Sequence, residues 1–267
     1  MTTTAVLCVV VGKYTIFWDR FYDSARAHLL KDHDKDFFVF TDQPDFFAPY
    51  IADDPHIHVQ PIANEGWPDV VLNCCHYFLL QESALAQRDY LLFLNINLVF
   101  NTDIGDEILP PQGLDLTMTQ HPGFFDKSPD EFTYERRPDS AAYIPYGAGR
   151  YYFSGAFSGG RSGAYLDLCR DLAARIDRDR EKGIVARWHD ESHLNAYMLH
   201  RQCHILSPSY LYPEGSDIPY EEKVTVLDKR NHGGHDFMRG IKRRPYLKPI
   251  NAGIRLVLRI LQGGRRQ

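Results

Sequence analysis

Three apolar runs set the possibilities for this chain: residues 5–11 (AVLCVVV), 37–41 (FFVFT) and 90–100 (YLLFLNINLVF). Each is apolar at consecutive positions rather than alternate ones. A strand of that kind must be covered on both faces, as in the middle of a sheet packed between helices. Segments of helical spacing lie between them. Phe17, Phe21, Ala25, His28 and Leu29 define one, and residues 67–86 another. Residues 56–62 alternate like a further strand, and 114–119 read as another. Strands alternating with helices predict an α/β fold with a mainly parallel central sheet flanked by helices. Further on, the pattern predicts helices near 163–181 and 190–200 and strands near 203–207 and 223–228. The Tyr- and Gly-rich stretch at 143–163 reads as a tight bend between sheets, or as a place where small residues at Ser154-Gly155-Ala156 admit a ligand close to the backbone.

The chain has 267 residues, of which 44% are apolar and 24% charged, as in a soluble domain able to bury its own core. Residues 1–238 are expected to form a single catalytic domain. Residues 239–267 hold nine basic residues and no acidic one. The other 238 residues carry twenty-one basic against thirty-five acidic groups, a balance of −14. An acidic body argues against nucleic acid as a ligand, because such binding depends on neutralising phosphate. No apolar run approaches the ~18 residues of a spanning helix, and the N-terminal stretch lacks the charge and cleavage site of a signal peptide. Five cysteines, an odd number without a CxxC pair, predict free thiols and a cytoplasmic location.

Several clusters carry polar groups suited to chemistry. Asn95-Ile96-Asn97 closes an apolar strand, and open α/β sheets bind ligands at the carboxyl ends of their strands. On a strand, residues at i and i+2 project from one side. Neutral amides are poor ligands for Mg²⁺ or Mn²⁺. Trp188-His189-Asp190-Glu191-Ser192-His193-Leu194-Asn195 reads as a helix N-terminus with acidic residues in its first turn. His189 and His193, four apart, could instead hold zinc for a hydrolase, although the zinc-protease pattern wants Glu, not Asp190, after the first His. No GxGxxG follows a strand at the start of the chain, and neither a GxxxxGK[ST] phosphate loop nor a GxSxG elbow occurs.

The blocks FTDQP (40–44), HPGF (121–124), FTYERRP (132–138), AYIP (142–145), YYFSGAFSGG (151–160), WHDESHLN (188–195) and LSPSYL (206–211) run in an order that resembles glycosyltransferase family 6, the family of the histo-blood-group transferases. The resemblance implies a GT-A fold and retaining transfer of GalNAc or Gal from UDP-GalNAc or UDP-Gal. The linkage formed would be α-1,3, to the 3-OH of a β-galactoside, fucosylated or not. It implies that backbone at Val9, Val10 and Val11 holds the uridine and that Tyr14 stacks on uracil. Asn95 and Asn97 fall where animal members have the two aspartates of a metal-binding DxD motif. Their NxN form resembles a branch that works without a metal, so no metal cofactor is expected. The same likeness gives Ser154 and Gly155, with Phe153, to the reading of the donor's C2 substituent, and His121, Thr133 and Trp188 to the acceptor. Asp190 would bind the nucleotide sugar and Glu191 would be catalytic and touch acceptor. Arg230-Asn231-His232 resembles a stretch whose cation closes over the diphosphate, with Arg239 as a further candidate. Pro213 replaces an acceptor-binding aspartate. The competing non-enzymatic reading is an inactive carbohydrate-binding protein on the same fold.

Residues 250–261 place Ile250, Ile254, Val257, Leu258 and Leu261 on one helical face, with Arg255 and Arg259 off it. This pattern reads as a helix docked on the acidic body, as a flexible basic extension, or as an interfacial helix on an anionic membrane, which would bring the site to a lipid-linked glycan acceptor.

Overall fold

The computed structural model describes residues 1–241. In chain order its strands are β1 (Thr3–Val10), β2 (Asp34–Thr41), β3 (Ile57–Pro61), β4 (Tyr90–Leu94), β5 (Leu98–Phe100), β6 (Leu116–Gln120), β7 (Phe153–Arg161), β8 (His204–Leu206), β9 (Tyr212–Pro213) and β10 (Val224–Val226). The helices are α1 (Trp18–His28), α2 (Ala48–Asp53), α3 (Asp69–Leu72), α4 (Cys74–Leu79), α5 (Glu82–Leu85), α6 (Ser162–Glu181), α7 (His189–Met198) and α8 (His235–Met238). The main sheet has the order β3-β2-β1-β4-β7-β6-β8, and β5, β10 and β9 form a small second sheet. β3, β2, β1 and β4 run parallel, β7 is antiparallel to both its neighbours, and β8 is parallel to β6. The expected α/β architecture, mainly parallel and helix-flanked, is present.

The unbroken apolar runs are explained by the two faces of the sheet. Val6, Cys8 and Val10 of β1 pack with Trp18, Phe21, Tyr22 and Ala25 of α1. Ala5 and Leu7 point the other way, against Phe78 of α4 and Tyr165, Leu168 and Cys169 of α6. β2 divides likewise, with Phe37 and Val39 on the first face and Phe38 and Phe40 on the second. All five cysteines are free thiols, as expected.

Three expectations are corrected. Residues 67–86 are not one helix: the backbone leaves the helical region at Asn73 (φ −92°, ψ 2°) and Gln81 (φ −112°, ψ 18°), dividing the segment into α3, α4 and α5. Apolar spacing does not register such breaks, because the separated turns still bury the same face. Residues 90–100 are two strands of two sheets, joined by a turn in which Leu98 N donates to Asn95 O (3.2 Å). Asn95 and Asn97 therefore lie on a turn and not on one face of a strand. Of the two readings of the Tyr- and Gly-rich stretch, the tight bend is corrected: the stretch contains β7, nine residues long, inserted between β4 and β6. Its glycines serve close packing rather than turning. A Cβ on Gly159 would sit 2.7 Å from the Leu91 carbonyl oxygen, and one on Gly160 would meet Asp115 and Leu116.

The tail helix expected at 250–261 lies outside the described residues. Among the described residues no helix is long and apolar enough to cross a membrane.

The packing of β7 gives a direct test. Gly159→Ala forces backbone apart in the sheet centre and should destabilise by about 1–3 kcal/mol, lowering Tm by about 2–4 °C for each kcal/mol. Gly163→Ala, on α6 with open space around it, should leave Tm unchanged or raise it slightly. Calorimetry showing equal melting for the two variants would contradict this packing.

Candidate active site

A cavity of about 600 Å³ opens at the carboxyl ends of β1 and β4, where a ligand site of an α/β sheet is expected. Val9, Val11 and Tyr14 form one wall, and Asn95, Ile96 and Asn97 line it where the chain leaves β4. Ser154, Gly155 and Ala156 of β7 meet Trp188, His189, Asp190 and Glu191 at the start of α7 on another side. His121 also reaches it. Residues expected from five separated blocks thus converge on one space.

Glu191 is held at both carboxylate oxygens. Tyr152 Oη donates to Oε1 (2.9 Å), and the Gly155 backbone N–H donates to Oε2 (3.0 Å). Burial nevertheless pushes its pKa up to about 7, against the lowering effect of these two donors. Its neighbour Asp190 is also raised to about 7, first by burial and then by the charge of Glu191. Gly155 packs directly against this pair: a Cβ there would lie in ordinary contact, 3.4 Å from Asp190 Oδ2 and 3.5 Å from Glu191 Cβ.

The start of α7 is fixed from outside the cavity. Trp188 N donates to Ser192 Oγ (2.9 Å), and His189 takes a left-handed backbone conformation (φ 53°), unusual for a residue with a side chain. Glu135, 2% exposed, accepts from Arg187 N (2.8 Å) and from Arg137 Nε (2.9 Å), while the Arg137 guanidinium donates to Val185 O (2.6 Å). Burial pushes the Glu135 carboxyl up, but the Arg137 side-chain hydrogen bond, the Arg137 and Arg187 backbone donors and the Arg137 charge together hold it down at about 2. The FTYERRP block thus acts as a brace for the segment entering α7. Thr133, expected at the acceptor, does not line the cavity. Its Oγ1 donates to Tyr152 Oη (3.4 Å), one step behind Glu191.

Three cations line the cavity, Lys13, Lys229 and Arg239. Burial and the charge of Arg239 push Lys229 down to about 8. Its ammonium lies 5.0 Å from the Tyr14 ring centroid, and the Arg239 guanidinium lies 4.3 Å over Trp67. Lys13 donates to Phe237 O (3.0 Å) and ties this segment to the loop after β1. The expected Arg230 is a correction. It points to solvent, 79% exposed, with its guanidinium on Asp228 (2.6 Å). Asp228 caps the turn Lys229–His232 and accepts from Arg230 N (2.8 Å). The phase of that turn presents Lys229 inward and Arg230 outward, a choice invisible in two adjacent basic residues.

Other expectations divide as follows. The Val10 side chain is buried in the core, on the face away from Val9 and Val11, and does not line the cavity. Trp188 is half-exposed at the rim. His121 Nδ1 accepts from Gly123 N (2.9 Å), and burial holds its pKa down at about 4, leaving a neutral ring. Asn97 is 4% exposed, with Nδ2 donating to Leu227 O (3.0 Å). Pro213 forms part of β9 and is not at the cavity. The zinc reading fails on geometry. His189 lines the cavity, edge-on to Trp67, while His193 is buried beside Asp179 (3.7 Å). Among the described residues no group of three or more His, Cys, Asp or Glu is placed to hold a metal ion.

Comparison with known proteins agrees with this arrangement. Residues 1–232 match the family described as Glycosyltransferase family 6. The chain is 34% identical over 227 residues to "Globoside alpha-1,3-N-acetylgalactosaminyltransferase 1" of Gallus gallus, covering 82% of this chain and 64% of that protein. It is 34% identical over 218 residues to "Histo-blood group ABO system transferase 2" of Rattus norvegicus, covering 80% and 64%. The "O-antigen biosynthesis glycosyltransferase WbnI" of Escherichia coli is 28% identical over 225 residues, with 84% of this chain and 94% of that protein covered. The chain thus spans just under two thirds of the animal relatives and nearly all of the bacterial one. With the matched region running from β1 through the turn that carries Lys229, the chain belongs to glycosyltransferase family 6.

Proposed function

We propose that this chain is a retaining hexosyltransferase that moves GalNAc or Gal from a UDP-sugar to the 3-OH of a β-galactoside, forming an α-1,3 linkage. The observation that carries the reading is one cavity holding a doubly hydrogen-bonded carboxylate, Glu191, together with the cations Lys229 and Arg239. Tyr14 offers a face for uracil beside Val9 and Val11. Lys229 and Arg239 offset the charge that builds on the departing diphosphate. Glu191 faces the anomeric carbon as it becomes oxocarbenium-like, and either stabilises that charge or adds to it covalently. His121 and Trp188 lie on the acceptor side. Lys229 and Arg239 lining one cavity with Asp190 and Glu191 favour catalysis over the reading as an inactive carbohydrate-binding protein.

No metal is required in this account. Amides at Asn95 and Asn97 offer neutral oxygens and bring no negative charge. Mn²⁺ therefore fits this donor set poorly, and Lys229 and Arg239 take over the charge on the diphosphate. The absent side chain at Gly155, beside Asp190, leaves room for an N-acetyl group. The experiment is an acceptor panel of β-galactosides, fucosylated and not, given UDP-GalNAc or UDP-Gal with and without EDTA. Transfer should survive EDTA, with the higher kcat/KM for UDP-GalNAc. An absolute need for Mn²⁺, or no transfer from either donor, would overturn the corresponding statement.

The chain's basic segment, residues 242–267, lies outside the described residues. Its charge and apolar spacing support peripheral contact with the cytoplasmic face of a membrane and access to a lipid-linked glycan. Co-sedimentation with anionic vesicles should fall on adding salt and on truncation after Arg239, while transfer to a soluble acceptor persists. Equal sedimentation of full-length and truncated protein would remove the membrane contact.

A further inference from the structure

We infer that Asn195 is the positioning residue of the site: its side-chain amide takes the place of a missing strand partner for β7 and thereby sets where Glu191 stands. The inference rests on the transferase reading for its kinetic consequence, and on geometry for the rest. Along β7 the ladder with β4 reaches only from Arg161 back to Phe157. On the other side the register with β6 slips between Met118 and Gln120 but resumes with Gln120 opposite Phe153, where His121 N donates to Tyr152 O (2.8 Å). The entering segment, Phe153 to Gly155, is the part of β7 that touches the cavity, and it has no ladder partner on the β4 side.

The amide of Asn195 supplies what is missing. Oδ1 accepts from Phe153 N (2.9 Å) and Nδ2 donates to Phe153 O (2.8 Å), the same donor–acceptor pair a neighbouring peptide would present. Nδ2 also donates to Glu191 O (2.9 Å), one turn back on α7. One buried side chain, 3% exposed, thus fastens the strand to the helix at the level of the carboxylate. The residues that grip Glu191 flank this fastening: Tyr152 immediately before Phe153, and Gly155 two residues after it. A shift of β7 along its axis would release both oxygens together. Asparagine is needed because a carboxylate has no donor for the two carbonyls, and an aliphatic residue would leave buried Phe153 N and O unpaired.

The test compares Asn195→Asp and Asn195→Ala with the full-length wild-type chain, with Asn195→Ser added should either fail to melt cooperatively. Two readouts are taken. The first is the titration of the Glu191 carboxyl by ¹³C NMR, which needs no turnover. Loss of the Tyr152 and Gly155 donors removes what lowers its pKa, so the titration should move to higher pH. The second is transfer: kcat should fall at least about 30-fold and its acidic limb should move with the titration, while affinity for UDP stays within about threefold. An unmoved Glu191 titration together with wild-type kcat per folded molecule would overturn the inference and leave Asn195 as a packing residue. An inactive wild-type chain would instead sink the transferase reading, with the NMR arm still deciding the position of Glu191.

Discussion

The site depends on two hydrogen bonds to one carboxylate. Gly155 N and Tyr152 Oη hold Glu191 from a strand, while the carboxylate itself belongs to a helix. Most of the surrounding architecture keeps these two elements in register. The antiparallel β7 sits in the sheet centre because its glycines let Leu91, Leu92 and Asp115 close on it. The entry to α7 is held by Ser192 from within and by the ionised Glu135 from behind. Glu135 is held far below the ordinary carboxyl range, so its contribution to stability is complete above about pH 5 and fades as pH falls toward 2.

The carboxylates in the cavity behave in the opposite sense. Glu191 and Asp190 are raised to about 7, so each contributes least to stability once pH has risen through that value. The first-turn position on α7 favours negative charge, yet burial outweighs it at both residues, joined at Asp190 by the charge of Glu191. Lys229 is lowered to about 8 by the same desolvation and by Arg239. The cavity thus brings together groups of both signs whose charged forms are disfavoured by burial. Strain of this kind concentrates at functional sites. A diphosphate beside Lys229 and a developing positive centre beside Glu191 would each relieve part of it.

Much of this was legible in the amino-acid sequence wherever burial is two-sided or the chemistry is local. β1 and β2 announce themselves because every residue meets a helix or a strand. That Tyr14, Asn95, Ser154, Gly155, Asp190 and Glu191 share one cavity is what the resemblance to the family implied. What failed depends on backbone phase. β7 reads as a bend because glycine is permissive, whereas here it is required by close approach. Asn95 and Asn97 occupy a turn because the apolar run changes sheets between them. Lys229 and Arg230 are indistinguishable until the capped turn decides which faces inward. Tyr152 and Asn195 were visible within their blocks, but their roles depend on hydrogen bonds made 39 and 42 residues apart, which no local pattern encodes.

The most direct measurement is the turnover of Glu191→Gln, which keeps the shape of the side chain and removes its charge. The account predicts a fall in kcat of at least about 10²-fold, with unchanged UDP affinity and cooperative melting. Near wild-type turnover in this variant would contradict the claim that the carboxylate held by β7 and α7 faces the reacting carbon.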